Sequence, residues 1–445
     1  MESLISAHHT ATLRSQCAYR PRPDRGCNTL KNPPPWRWRS RATPVTKNKR
    51  KIAVKPDIKA ELLRELALEI AIPSPDIGLR AGADAFHPHY RGRVITSFAS
   101  WDLLDVLSRR EISAAVVAAL EQFGVASGLG RFSGALTAAH AKAEQRMAQF
   151  FAAESALLFS SRSQAALTCI TALCSEGWIV LGGSLSPLPV ADACALVGAE
   201  FHEFESAETL RALLERFQLA KRVLVVVESV SSLTAEVVLA PHTWAMLEQA
   251  GAWVIADETA ALGAVGLRGA GSAEVMPKSS SLVARLVSFA PLSGLEISAV
   301  IIASEFKELL LRRSRYLRVE PPPSAPAVSA AEALLDLIEV AITQRDRLAS
   351  RARIVETALK SQGWSVIGGG EVPFVSVWFD SLQKARIVQE ALLQRGIFVD
   401  ALTARSIRKN GAVLRVLVSV GHAPHEVEAL VESFGEVRRR TQSEK

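Results

Sequence analysis

AWVIADE, residues 252–258, runs five apolar residues into two carboxylates. A short apolar run of this kind between helical segments reads as a strand buried on both faces of a mainly parallel sheet. Asp257 and Glu258 then stand at its carboxyl end, the edge where open α/β sheets hold their ligands. Two readings of the pair follow. One is a strand end turning into solvent. The other is a carboxylate that pairs with a buried cationic ring nitrogen.

Working outward, similar apolar strands read at 156–159, 178–181, 223–227, 283–288 and 298–302. Helical segments separate most of them, at 163–175, 189–197, 207–218 and 241–250. This alternation predicts an α/β large domain over 106–325. An arm covers 56–105, with a helix over 57–71 and a strand over 94–99; an amphipathic helix follows at 112–123, and a longer one begins near Ala138. The break EPPPSAP (320–326) precedes one long helix over 327–362. Strand–helix–strand–helix patterns then give a smaller α+β domain within 326–445.

Charge is divided unevenly. Residues 1–55 carry thirteen Lys and Arg against Glu2 and Asp24, a surplus of +11 that leaves the other 390 residues at −4. A Pro/Arg/Lys-rich head of this composition is expected to be disordered. It reads as a solvated tail or an upstream extension, as an organelle transit peptide, or as a nucleic-acid or membrane-surface arm. The acidic body gives no nucleic-acid groove. No apolar run reaches the length of a membrane span. The five cysteines have no CxxC spacing, so free, mostly buried thiols and a cytoplasmic location are expected, with the mitochondrial matrix as the alternative if the head is a transit peptide.

Six segments carry a resemblance. They are GVASGLGRFSGALTAAHAKAE (124–144), LLFSSRSQAALTCITAL (157–173), VVVESVSSLTAEVVLAP (225–241), WVIADETAALGAVGLRGAG (253–271), LVSFAPLSG (286–294) and LRVLVSVGHAPHEVEALV (414–431). In order and spacing they resemble the α-oxoamine synthases, pyridoxal-phosphate (PLP) enzymes of fold type I that condense an amino acid with an acyl thioester. The resemblance implies a mostly parallel seven-stranded sheet, a smaller C-terminal domain, and a site at a dimer interface. In such enzymes a lysine forms a Schiff base with PLP, and an aspartate keeps the pyridine nitrogen protonated. One histidine stacks on the ring, and another contacts its hydroxyl or the substrate carbonyl.

Several of those positions are changed here. The lysine position is Pro291, and no lysine occurs between Lys278 and Lys307. The histidine positions are Pro187 and Ala260, so no catalytic residue is assigned. Asp257, Ser232, Ser288 and Arg162 remain as a vestigial cofactor-binding set, and Arg415 and His140 as substrate-binding candidates. A structural reading stands beside this one. Arg131, His140 and Glu144 then hold a turn to a helix start, and Asp257 is a buried acid bonded to neighbouring backbone.

Three functions follow. The first is a non-catalytic subunit or regulator, as a homodimer or as a heterodimer with a lysine-bearing paralogue. The second is an active 8-amino-7-oxononanoate synthase-like acyltransferase with atypical PLP binding. The third is a homodimeric binding protein for a small molecule or acyl thioester. Truncation after residue 55 is expected to leave the melting temperature almost unchanged. A fall of several degrees would show that the head packs on the body.

Overall fold

The computed structural model describes residues 84–443, except 127, 129, 185, 276–278, 369–371 and 404–410. The head and the helix expected over 57–71 lie outside the described residues, as does Ser127 of the glycine-bearing turn.

After β1 (His89–Tyr90), the strand expected over 94–99 is divided between the end of β2 (Arg93–Val94) and β3 (Thr96–Ser97). β1 and β2 form a hairpin whose turn residues, Arg91 and Gly92, take positive φ. β3 instead pairs in parallel with a distant strand, β13, introduced below. Tertiary pairing on two sides thus divides what reads as one apolar stretch.

The large domain follows as α1 (Arg110–Phe123), α2 (Ala138–Phe150), β4 (Ser155–Phe159), α3 (Arg162–Leu173), β5 (Ile179–Gly183), α4 (Val190–Val197), β6 (Glu200–Phe204), α5 (Ala207–Arg216), β7 (Val223–Glu228), α6 (Pro241–Gln249), β8 (Trp253–Asp257), β9 (Leu282–Ser288), α7 (Ala290–Ser293) and β10 (Ser298–Ile302). β4 to β10 form one sheet in the order β4-β10-β9-β8-β7-β5-β6. Every pairing is parallel except those of β10, which runs antiparallel to both neighbours. The expected seven-stranded, mostly parallel sheet is present.

Two core clusters share one face of this sheet, one over β4, β10 and β9 and the other over β5, β7 and β8, and a third covers the opposite face. β6 (EFHEF), one of the two edge strands, has no apolar run because most of its side chains are exposed or half-buried, whereas the other edge strand, β4 (SALLF), is largely buried.

Local chemistry sets the helix starts. Ser161 accepts the Gln164 N–H at 3.1 Å at the start of α3. Thr137 and His140 form a capping box at the start of α2. Ser324 caps the next long helix, with Pro326 in its first turn.

α8 (Ser304–Arg313) and α9 (Tyr316–Val319) lead to that region, which is not one helix over 327–362 but two, α10 (Ala325–Val340) and α11 (Ile342–Ser361). No glycine or proline marks the break at Ala341. The buried Arg345 makes it, donating from Nη1 to the Ile338 carbonyl at 2.5 Å and from Nη2 to the Leu267 carbonyl. It therefore caps the end of α10 and ties it to the loop after β8.

The small domain adds β11 (Val366–Ile367), β12 (Phe374–Phe379), α12 (Leu382–Leu393), β13 (Ile397–Phe398), β14 (Asp400–Leu402), β15 (Ala412–Leu417) and α13 (Pro424–Ser443). Its antiparallel sheet runs β11-β12-β15-β14 over its own core, which Phe98 enters from the chain preceding α1.

His422 locks that junction. Its ring stacks on Phe98 with centroids 4.2 Å apart. Nδ1 accepts the Ser419 N–H, and Nε2 donates to the Ser97 carbonyl, both at 3.0 Å. Burial pushes its pKa from 6.5 down to about 4. The unfolded chain takes up a proton near 6.5 that the folded chain refuses. Stability is therefore whole above that pH and falls as pH drops toward 4, by about 3 kcal/mol from this group. Denaturant titrations at pH 7 and pH 4 check this. His422→Gln is expected to be less stable at pH 7 and to lose about 3 kcal/mol less on acidification. Parallel losses in both chains would contradict it.

Candidate functional site

β7 and β8 end together, and their register places Glu228 beside Asp257. Both side chains are buried. Two adjacent buried carboxylates cannot both stay charged without a nearby cation or donor. The first residue of α3 supplies one: Arg162 Nη1 lies 3.0 Å from Asp257 Oδ2. Asp257 Oδ1 accepts the Thr259 N–H at 3.0 Å.

The chain of contacts continues into β9. Thr259 Oγ1 accepts the Ser288 N–H at 3.2 Å, and Ser288 Oγ accepts the Ala290 N–H at 3.3 Å. Glu228 is less well served. Oε2 accepts the Ser232 N–H at 3.4 Å, and Oε1 has no hydrogen-bond partner. Burial first, and then the charge of Asp257, push its pKa up to about 8.

Glu258, the second acid of the strand end, has a different task. It accepts from Ser229 Oγ at 2.8 Å, Ser272 N–H at 2.9 Å and Ser272 Oγ at 2.6 Å. This pins the glycine-rich loop 259–272. Gly271 has φ 92°, and a Cβ there would stand 2.6 Å from Glu258 Oε2. Glu258 is thus a fastening inside the fold.

Arg415 on β15 reaches the same edge. Its Nη1 donates to the Ser232 carbonyl at 2.9 Å and its Nη2 to Asp400 at 3.2 Å. The guanidinium lies over the Trp101 ring, 4.7 Å from its centre. These contacts join the small domain to the segment after β7.

The structure brings Arg162, Asp257, Ser288, Ser232 and Arg415 to one edge of the sheet. His140 stands elsewhere. Its Nδ1 lies 2.9 Å from Thr137 Oγ1, and its Nε2 lies 2.7 Å from the Pro323 carbonyl, so both ring nitrogens are engaged in structure. Glu144 likewise binds Arg131 at 2.7 Å, Lys307 at 3.2 Å and the Leu158 N–H at 3.3 Å. At these positions the turn-holding reading describes the contacts.

Pro291 sits in the one-turn α7, Pro187 is exposed before α4, and Ala260 lies in the core cluster that holds Phe289 and Leu292. Glu228, Thr259, Asp400 and Trp101 are members of the site that reading from sequence did not single out. Glu228 had a signal: VVVE at 225–228 ends on an acid just as VIADE does.

A cavity of about 910 Å³ opens beside Glu228, between the carboxyl ends of β5, β6 and β7 and the small-domain residues Ser365, Ile367, Gly368 and Trp378. Among the described residues, no lysine or arginine lines it. The three described cysteines are free and buried, with Cys169 and Cys174 pushed up to about 12 and Cys194 to about 11 by burial; they serve as packing.

A mostly parallel seven-stranded sheet with one antiparallel strand, followed by a small α+β domain, is the architecture of PLP-dependent transferases of fold type I. The chain belongs to the aminotransferase class I and II family, which it matches over residues 101–434. Its similarity lies with the α-oxoamine synthases of that family. It is 26% identical to 8-amino-7-oxononanoate synthase of Geobacter sulfurreducens over 361 residues, 80% of this chain and 92% of that one. It is 28% identical to the enzyme of the same name from Chromobacterium violaceum over 347 residues, 77% and 88% of the two chains. Its fold matches Sphingomonas wittichii serine palmitoyltransferase with a TM-score of 0.77 at 22% identity, covering 87% and 97% of the two chains.

The residues present do not fit the family's cofactor as a covalently held group. Pro291 has no amine. The Asp257 carboxyl, the group that would pair with a pyridine nitrogen, already holds Arg162. Removing Arg162 leaves the buried Asp257 carboxyl with the Thr259 N–H as its remaining hydrogen-bond donor. Arg162→Met is expected to cost about 2–3 kcal/mol, toward the low end for a broken buried pair because Arg162 is partly exposed. Arg162→Met/Asp257→Asn is expected to cost clearly less than the sum of the two single changes in a denaturation cycle. Additive losses would mean that the pair does not hold the site together.

Proposed function

We propose that this chain is a non-catalytic α-oxoamine synthase homologue that completes or regulates a PLP-dependent acyl-CoA:amino-acid C-acyltransferase formed by a lysine-bearing paralogue. One observation carries the reading: Arg162 closes on Asp257 in a site whose lysine position is Pro291. The guanidinium supplies, from within the chain, the positive partner that a pyridinium nitrogen would otherwise bring. Arg415 supports the same reading, because Asp400 and the Ser232 carbonyl already engage it.

Association with a second chain, like or unlike, has its own support. Val117, Leu120, Val125, Phe132 and Leu136 are exposed around the glycine-bearing turn. Such a run of exposed apolar side chains favours burial against a partner. No helix among the described residues is long and apolar enough to cross a membrane.

A second reading is an active acyltransferase of the 8-amino-7-oxononanoate synthase kind with atypical PLP binding. It draws on the relatives of that name and on Asp257, Ser232 and Ser288 keeping to one sheet edge. On that reading Asp257 would have to give up Arg162 to the solvent before a ring could enter.

The two readings part on chemistry. The chain alone is expected to give no pyridoxyl-lysine when treated with PLP and borohydride and analysed by peptide mass. Pro291→Lys alone is expected to bind PLP weakly at most. Adding Pro187→His and Ala260→His is expected to bind it better, because such residues act as a unit. A single pyridoxylated lysine in the wild-type site, with turnover of an amino acid and an acyl-CoA, would overturn the proposal. So would a strictly monomeric state in light scattering with and without a co-expressed paralogue.

A further inference from the structure

The cavity beside Glu228 has a chemistry of its own. Its walls are largely apolar, including Val227, Val238, Phe204, Ile367 and Trp378. Among the described residues its ionisable lining is Glu205, Glu228, Glu236 and His242, with no arginine or lysine. These described walls offer a phosphate or an acyl-CoA pyrophosphate no cation.

The three acids are not equivalent. Glu205 and Glu236 are exposed, and Glu236 accepts from Thr234 Oγ1 at 2.9 Å. Glu228 is only 4% exposed, and its Oε1 has no partner. A second lining group, Thr243, is 1% exposed, and its Oγ1 is also unpartnered. Buried polar atoms are nearly always hydrogen-bonded, so two unmet ones lining a single cavity point to donors brought by a ligand.

We propose that this cavity binds a small primary amine with an apolar body, its ammonium donating to Glu228 Oε1. An ammonium carries three N–H donors and no acceptor, which suits a carboxylate and nearby hydroxyls. Its charge offsets that of a buried Glu228, which otherwise stays largely protonated. The apolar body lies on the Val, Phe and Trp walls. A free amino acid is disfavoured, since its carboxylate would meet an acid-lined cavity. The site is built by this chain alone and holds whether or not a paralogue exists.

The charges facing Glu228 fix the pH dependence. Asp257 on β8 raises its pKa, while Arg162 on α3 lowers it. Arg415 on β15 is within electrostatic reach, and Glu205, Glu236 and His242 line the cavity. Glu228 must lose its proton to take the ammonium. Its pKa of about 8 lies well below that of an alkylamine, about 10.4. Binding therefore tightens as pH rises from 6 to 9.

The test is calorimetric titration of the full chain with hexylammonium chloride, with hexan-1-ol as the uncharged comparison. We expect hexylammonium to bind at least about tenfold more tightly than the alcohol, and roughly a hundredfold more tightly at pH 9 than at pH 6. Glu228→Gln is expected to abolish that preference and flatten the pH profile. Should that variant not fold, the wild-type pH profile decides. Absence of binding, equal affinity for amine and alcohol, a pH-independent affinity, or an unchanged preference in the variant would each overturn the proposal.

Discussion

Two buried carboxylates stand side by side where β7 and β8 end, and the site is arranged around that fact. Asp257 keeps its place through Arg162 and the Thr259 N–H. Glu228 has only Ser232 as donor, and burial followed by the charge of Asp257 pushes its carboxyl well above the usual range. Asp257 is then linked through Thr259 to Ser288 on β9, and Arg415 braces the segment after β7 against the small domain. Had α3 begun on an apolar residue, Asp257 would sit buried with backbone donors alone. The family's architecture places a carboxylate there; in this chain an internal guanidinium meets it.

Much of this was legible in the sequence. The six apolar strands at 156–302 read correctly because strands buried on both faces have little choice but continuous apolar runs. β6, EFHEF, escaped because most of its side chains are exposed or half-buried and so tolerate charge. The break at Ala341 escaped for another reason: it comes from Arg345, folded back from the next helix, and not from any local breaker. In the site, Asp257, Ser288, Ser232, Arg162 and Arg415 were found through motif positions. His140 matched a motif position too, yet its ring serves as a helix cap and a tie to Pro323. Motif matching finds places; it cannot say whether a side chain's donors are already taken.

The changes at Pro187, Ala260 and Pro291 differ in what surrounds them. Ala260 is absorbed into the core, Pro291 sits in a one-turn helix closed by Gly294, and Pro187 is exposed. What persists beside the sheet edge is a cavity with apolar walls and an unmet carboxyl oxygen.

The central claim is that Arg162, and not a cofactor ring, is the partner of Asp257. A crystal structure of the full chain grown in excess PLP tests it most directly. The account predicts Arg162 Nη1 within hydrogen-bond distance of Asp257 Oδ2 and no ring density between β8 and α7. A pyridine ring seated against Asp257, with Arg162 swung away, would contradict it.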